Sequence, residues 1–280
     1  MTTRIGIIAG RGRFPHLFAE AARRQGCQVV VVAHQGESAP DLADYADRIH
    51  WVRLGQLGRI IEVLRQEEVE EAVLLGAITK TSIWRDIRPD LRGLALWGRI
   101  DRRQDDAILR AVAAELEKEG IRIVESTRYL GHLLFPAGQL TRRGLAAAEL
   151  ADVRFGWQMA KAIGALDIGQ TVVVRDRTVL AVEAIEGTDA AIRRGGSLGR
   201  QEVVVVKVKK PQQDFRFDLP AIGVQTMTTM QESGARVLAV EAGQSLFFER
   251  EEALALADQA GLTVVGLTAG AGGLPLLPAA

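Results

Sequence analysis

Short apolar runs and helix-period patterns alternate along the first half of the chain. RIGII at 4–8 is an unbroken apolar run of the length a buried strand needs, followed by the polar, glycine-bearing AGRGRFP. A helical pattern then runs from about Phe14 to Gln25, and QVVVVAH at 28–34 predicts the next strand, completing a β-loop-α-β opening. Farther on, LGRIIEVLRQE at 58–68 predicts a helix and EEAVLLGAI at 70–78 a strand. DDAILRAVAAELEKEG at 105–120 predicts a helix stopped by Gly120, and IRIVES a further strand. Strands alternating with helices predict a parallel α/β sheet, Rossmann-like in its opening.

The turn-rich, polar PAGQLTRRGL at 136–145 breaks the pattern and predicts a domain boundary, with a first domain over 1–140 and a second over 141–268. The second opens with a helix at about 146–164, then TVVVRDRTVLAVEA, two alternating runs about Arg175-Asp176-Arg177 that predict a β-hairpin. TDAAIRR predicts a short helix and EVVVVKVKK a strand. A helix near 226–233, the strand RVLAVEA, the helix REEALALADQAG and the strand LTVVGL follow. The expected fold is α/β in two domains, an N-terminal Rossmann-like parallel sheet and a C-terminal mixed α/β domain. Residues 269–280, rich in Gly and Pro, are expected to form a flexible tail.

Composition narrows the function classes. Lys plus Arg equals Asp plus Glu at 35 each over 280 residues, so no overall positive field draws the chain to nucleic acid or anionic membrane. Any bound anion must be met locally. The single Cys27 excludes an internal disulfide, and MTTRIGIIAG carries too short an apolar run for a signal peptide, so a cytoplasmic location is expected. No stretch approaches the roughly 18 apolar residues of a membrane span. CxxC, HExxH and GxSxG patterns are absent.

Three stretches carry candidate chemistry. Gly10 and Gly12 lie between strand and helix, where glycines let backbone N–H groups approach a phosphate, or simply make a tight turn. The third glycine of a dinucleotide fingerprint is missing, and Ala33-His34 stand where an acidic residue would end the second strand. In VEAIEGTDAAIRRGG (182–196), Thr188 as helix cap would make an anion site reinforced by Arg193 and Arg194. Asp189 at the same end would repel a phosphate unless a divalent cation bridges them; alternatively it pairs with Arg193 at i,i+4. In VVVVKVKKPQQDFRFD (203–218), a hairpin about Pro211 would set Lys207 and Lys209 beside Asp214, Arg216 and Asp218. Asp218, in the apolar FRFDLPAIGV, needs a counter-ion, hydrogen bonds or a metal. These charges are either a solvated edge hairpin or a site for phosphoryl or nucleotidyl chemistry.

GIIAGRGRFP, DDAILRAVAAELEKEG, LDIGQTVVV, VLAVEAIEGTDAAIRR, VKKPQQDFRFDLPAIG and VLAVEAGQSLFFERE, spread over about residues 4–267, together resemble the two-domain, metal-dependent UDP-2,3-diacylglucosamine pyrophosphatases of bacterial lipid A biosynthesis. EGTD…RR and DxRxDLPxxG are the specific parts. The resemblance implies hydrolysis to UMP and 2,3-diacylglucosamine 1-phosphate with Mg²⁺ (or Mn²⁺) in a cleft between the domains. It implies Asp218 as catalytic aspartate, with Glu186, Thr188, Asp189, Arg193 and Arg194 as neighbours. Asp189 joins Asp218 in catalysis, and Asp218, Asp189 and Glu186 are the implied metal ligands. Thr188, Arg193 and Arg194 from the motif, with Gly10, Gly12, Lys207, Lys209 and Arg216 from the pattern of the chain itself, are the candidate phosphate contacts. The implied partner is a lipid-linked UDP-sugar, with LRGLALWGRI (91–100) and YLGHLLF (129–135) as an apolar wall for its acyl chains. Transient contact with the inner-membrane surface and a homodimer are both compatible with this reading. Two rivals stay open: an NAD(P)-dependent Rossmann-like oxidoreductase, and a nucleotide-sensing module without catalysis.

Overall fold

The computed structural model describes residues 3–78, 88–98, 105–200, 202–217, 219–270 and 274–276. Chain contacts divide it into two units, Met1–Gly131 with Phe215–Phe217, and His132–Asp214 with Asp218–Ala280.

The first unit contains β1 (Arg4–Ala9), α1 (Phe14–Arg24), β2 (Gln28–His34), a 3-10 turn (Pro40–Tyr45), β3 (Arg48–Val52), α2 (Leu57–Gln66), β4 (Glu71–Leu75), α3 (Leu91–Trp97), α4 (Asp105–Lys118) and β5 (Arg122–Ile123). Its sheet has the order β3-β2-β1-β4-β5, every pair parallel. The chain winds outward from β1 to β3, then returns to lay β4 against the other side of β1, as the βαβ pattern predicts. α1 starts with Pro15 in its first turn and buries Phe18, Ala19 and Ala22, a stripe at helical spacing. β3 was not predicted: RIHWV is an edge strand, mostly half-exposed or exposed, with no apolar run to betray it.

The second unit contains β6 (Gly138–Gln139), α5 (Ala147–Ala165), β7 (Thr171–Arg175), β8 (Thr178–Val182), α6 (Thr188–Gly199), β9 (Val204–Lys207), β10 (Ala221–Ile222), α7 (Val224–Glu232), β11 (Val237–Glu241), β12 (Leu246–Phe247), α8 (Arg250–Gln259), β13 (Thr263–Ala269) and β14 (Pro275–Leu276). The main sheet runs β14-β13-β11-β9-β7-β8, with β6 also on β13; β10 and β12 form a separate parallel pair. β9, β11 and β13 are parallel, and β7 runs against β9, so the sheet is mixed as expected. The predicted hairpin about Arg175-Asp176-Arg177 forms. Asp176 and Arg177 both take positive φ (50° and 55°), the geometry of a two-residue loop matched to strand twist. Asp152 of α5 holds that loop, accepting from the Asp176 and Arg177 N–H groups at 2.9 and 2.6 Å. α5 lays Val153, Trp157 and Ala160 on one sheet face, a side chain the size of Val153 contributing about 1.5–3 kcal/mol on burial. α6, α7 and α8 cover the other face with Ile192, Met227, Met230 and Ala253.

Two expectations are corrected. The hairpin of 203–209 with 214–218 does not form. β9 is an interior strand with both edges taken by β7 and β11, and 215–217 is a turn. The alternation of DFRFD imitates a strand because Phe217 packs into the first unit's core while Arg216 pairs with Glu117 at 3.0 Å. The tail is not loose throughout: Pro275–Leu276 pairs antiparallel with β13, and Gly270 N donates to Leu274 O at 2.7 Å. The apolar Pro275-Leu276 pair finds a free edge at the end of β13.

Candidate functional site

In the first unit the glycine loop follows β1 and stays bonded to the chain that leaves its neighbour β4. Its backbone is already committed: Gly10 N donates to Leu75 O at 2.7 Å and Arg11 N to Ala77 O at 2.8 Å. A Cβ on Gly10 would stand 2.5 Å from the Ala77 carbonyl, so close backbone approach accounts for that glycine without a ligand. Gly12 takes φ +97° with open space around it. Arg11 pairs with buried Glu37 at 2.9 Å. His34 Nδ1 and Ser38 Oγ both bond the Ala9 carbonyl, at 2.9 and 2.7 Å. Burial, the largest influence, pushes the His34 pKa below its ordinary value, against the Ala9 bond and Glu37.

In the second unit the charged residues of two motifs meet at the carboxyl edge of the sheet. Lys207 ends β9, only 3 % exposed, and its Nζ donates to Thr188 Oγ at 2.7 Å. Thr188 in turn donates to Glu183 Oε1 at 2.8 Å. Thr188 is the first residue of α6 and not its cap; Gly187, at φ 84°, holds the cap position. The N–H groups of the first turn remain at that end, and Asp189 there suits the helix dipole. Asp189 has no hydrogen bond or ion pair among the described residues, so its i,i+4 pairing with Arg193 does not form. Arg193 bonds Thr229 Oγ at 3.2 Å instead.

Arg194 closes the loop before the helix. It donates to Val182 O at 2.8 Å and to Glu186 at 2.7 Å. Glu186 is exposed, and its pKa is lowered first by its own backbone N–H and then by Arg194. Lys209, two residues past Lys207, gives its backbone N–H to Glu241 at 2.8 Å, while Glu241 is clamped by Lys161 at 2.6 Å. Arg216 pairs with Glu117 in the first unit at 3.0 Å. Asp218 lies outside the described residues.

Among the described residues no group of three His, Cys, Asp or Glu is arranged to hold a metal. Of the expected apolar wall, Phe135 and Leu130 are buried, Phe135 stacked on Phe247 with ring centroids 4.7 Å apart, so both are core. Leu91 and Leu94 of α3 are exposed, at 87 % and 54 %. The residue that the motif reading overlooked is Glu183. It is 7 % exposed, and its Oε2 is buried with no hydrogen-bond partner among the described residues. Its only sequence signal was parity: it continues the inward alternation of Ala181 on β8.

A model of the LpxI N-terminal domain matches residues 4–133 and one of the LpxI C-terminal domain residues 136–265. The UDP-2,3-diacylglucosamine pyrophosphatase LpxI of Caulobacter vibrioides is 36 % identical over 277 residues, covering 94 % of this chain and 97 % of that protein. Among solved structures, the CobK precorrin-6A reductase aligns over 100 % of this chain and 91 % of its own at 14 % identity and a TM-score of 0.30. AnUbiX (PadA1) aligns over 45 % and 81 % at 14 % identity and a TM-score of 0.25. Scores at that level carry no argument.

Proposed function

This chain belongs to the LpxI family, and on that premise we propose that it hydrolyses UDP-2,3-diacylglucosamine to UMP and 2,3-diacylglucosamine 1-phosphate in lipid A biosynthesis. The observation in its own residues that supports this reading is a buried ammonium, Lys207, joined to the first residue of α6. Cleaving a pyrophosphate demands positive charge against both phosphates, an activated water and a stabilised leaving phosphate. Lys207 and the first-turn N–H groups of α6 supply the charge. Asp218 takes the proton of the attacking water.

The donor set suits a hard cation. Asp189 offers carboxylate oxygens with no partner among the described residues, and Mg²⁺ is held by one or two carboxylates plus phosphate oxygens. Asp189 and Asp218 would hold Mg²⁺ or Mn²⁺; Glu186 would join them only by releasing Arg194. Bound there, the cation would neutralise charge building on the phosphates. Leu91 and Leu94 present apolar surface for acyl chains. No helix among the described residues is long and apolar enough to cross a membrane, and we propose that the enzyme meets its lipid substrate by transient contact with the cytoplasmic face of the inner membrane.

The test is UMP release from UDP-2,3-diacylglucosamine by purified protein. EDTA should abolish it and Mg²⁺ or Mn²⁺ restore it, and full turnover in chelator would remove the metal from the reading. UDP-N-acetylglucosamine, lacking acyl chains, should be a very poor substrate. Equal rates on both would replace the lipid assignment with a general nucleotide-sugar pyrophosphatase.

A further inference from the structure

Glu183 directly follows β8, Thr188 starts α6 and Lys207 ends β9. Strand alternation places Glu183 and Lys207 on the same sheet face as Ala181 and Val205, under α6. Proton inventory sets the direction of the bonds between them. Lys207 Nζ only donates, so the Thr188 hydroxyl accepts from it at 2.7 Å and must turn its own hydrogen to Glu183 Oε1 at 2.8 Å. Glu183 is thereby an acceptor, and it supplies negative charge one hydroxyl away from a buried ammonium. Its backbone is fixed as well, since Glu183 N donates to Thr171 O at 2.8 Å. On the same face, Glu183 Oε2 and Thr171 Oγ1 are buried without hydrogen-bond partners among the described residues. A buried carboxylate oxygen without a protein partner is costly and calls for an explanation, a water, an ion or a functional role.

Glu186, three residues later, is exposed and engaged by Arg194, so it cannot be the source of this charge. A metal at Glu183 is disfavoured by the ammonium beside it. We infer that Glu183 is a positioning residue of the pyrophosphate site. Acting through Thr188, it orients the Lys207 ammonium toward the substrate's phosphates. This rests on the pyrophosphatase reading for the phosphates, and on the geometry alone for the relay.

The relay can be read without turnover. A buried, hydrogen-bonded lysine ammonium exchanges slowly and gives a ¹H–¹⁵Nζ NMR cross-peak, assigned here by its loss in Lys207→Arg. Wild type should show that peak, Thr188→Val should shift, broaden or lose it, and Glu183→Gln should shift or broaden it. Thr188→Ser, which keeps the hydroxyl, should restore it. In UMP release, Thr188→Val and Glu183→Gln should each lower kcat roughly tenfold to a hundredfold, with KM within about threefold, because an oriented charge acts mainly as phosphate charge develops. Thr188→Ser should recover most of the turnover lost in Thr188→Val. The double variant should be no worse than Thr188→Val alone, since both changes cut one relay. An absent wild-type peak, or one unchanged in Thr188→Val, overturns the relay. A shifted, broadened or lost peak with undiminished kcat overturns its catalytic role, as does multiplicative loss in the double variant. If wild type releases no UMP, the pyrophosphatase reading falls and the cross-peaks still decide the relay.

Discussion

The carboxyl edges of the two sheets look alike in sequence, each a strand followed by a glycine-bearing loop and a helix, yet they differ in what their polar groups do. In the first unit they hold the loop together. Gly10 and Arg11 spend their N–H groups on β4 and its loop, Arg11 pairs with Glu37, and His34 and Ser38 share the Ala9 carbonyl. In the second unit, Lys207 is buried on Thr188, and among the described residues Glu183 keeps an unmatched oxygen and Asp189 stands unpaired. Backbone packing accounts for the turn at Gly10 and Arg11. The charges of the second unit have no such packing account.

Substitution should separate the two edges. The largest effect is expected at Asp218: Asp218→Ala should lower kcat by roughly two or more orders of magnitude while the melting temperature holds or rises. Wild-type kcat in a stable variant would remove it from the mechanism. Gly10→Ala should do the opposite, costing roughly 1–3 kcal/mol of stability through collision with the Ala77 carbonyl, with kcat per folded molecule little changed. Normal stability with lost turnover would instead make the glycine loop a phosphate site.

A smaller effect should follow pH. Burial keeps His34 neutral in the fold, whereas the unfolded chain takes up that proton near its ordinary pKa of about 6.5. Protons then favour the unfolded state, so this contribution to stability is complete above that pH and lost as pH falls below it. Melting temperature should drop by a few degrees between about pH 7.5 and 5.5, and less steeply in His34→Gln. An equal slope in the variant would assign the acid sensitivity elsewhere. The smallest effect is expected at Glu186. Its lowered pKa stabilises above the ordinary glutamate range and is lost as pH falls through the lowered value, but the group is exposed and its ion pair screened. Glu186→Gln should melt like wild type at pH 7 and keep turnover within a few-fold. A loss rivalling Asp218→Ala would establish Glu186 as a metal ligand.

Local pattern determined much of this protein by itself. The apolar runs RIGII and QVVVVAH, the hairpin about Asp176-Arg177 and the helical stripe of Phe18, Ala19 and Ala22 all follow from periodicity and turn chemistry, which act within a few residues. The motifs EGTD…RR and DxRxDLPxxG sufficed to indicate the family, because they name residue types at fixed spacings. What pairs with what was decided only by tertiary structure. Whether β9 is an edge or interior strand depends on β7 and β11, whose places are set by crossovers many residues long. That placement abolished the expected hairpin and sent Arg216 to Glu117. It also chose between two glutamates three positions apart, leaving Glu186 in solvent with Arg194 and turning Glu183 inward to Thr188 and Lys207. Burial and charge partners are long-range properties, and spacing along the chain does not encode them.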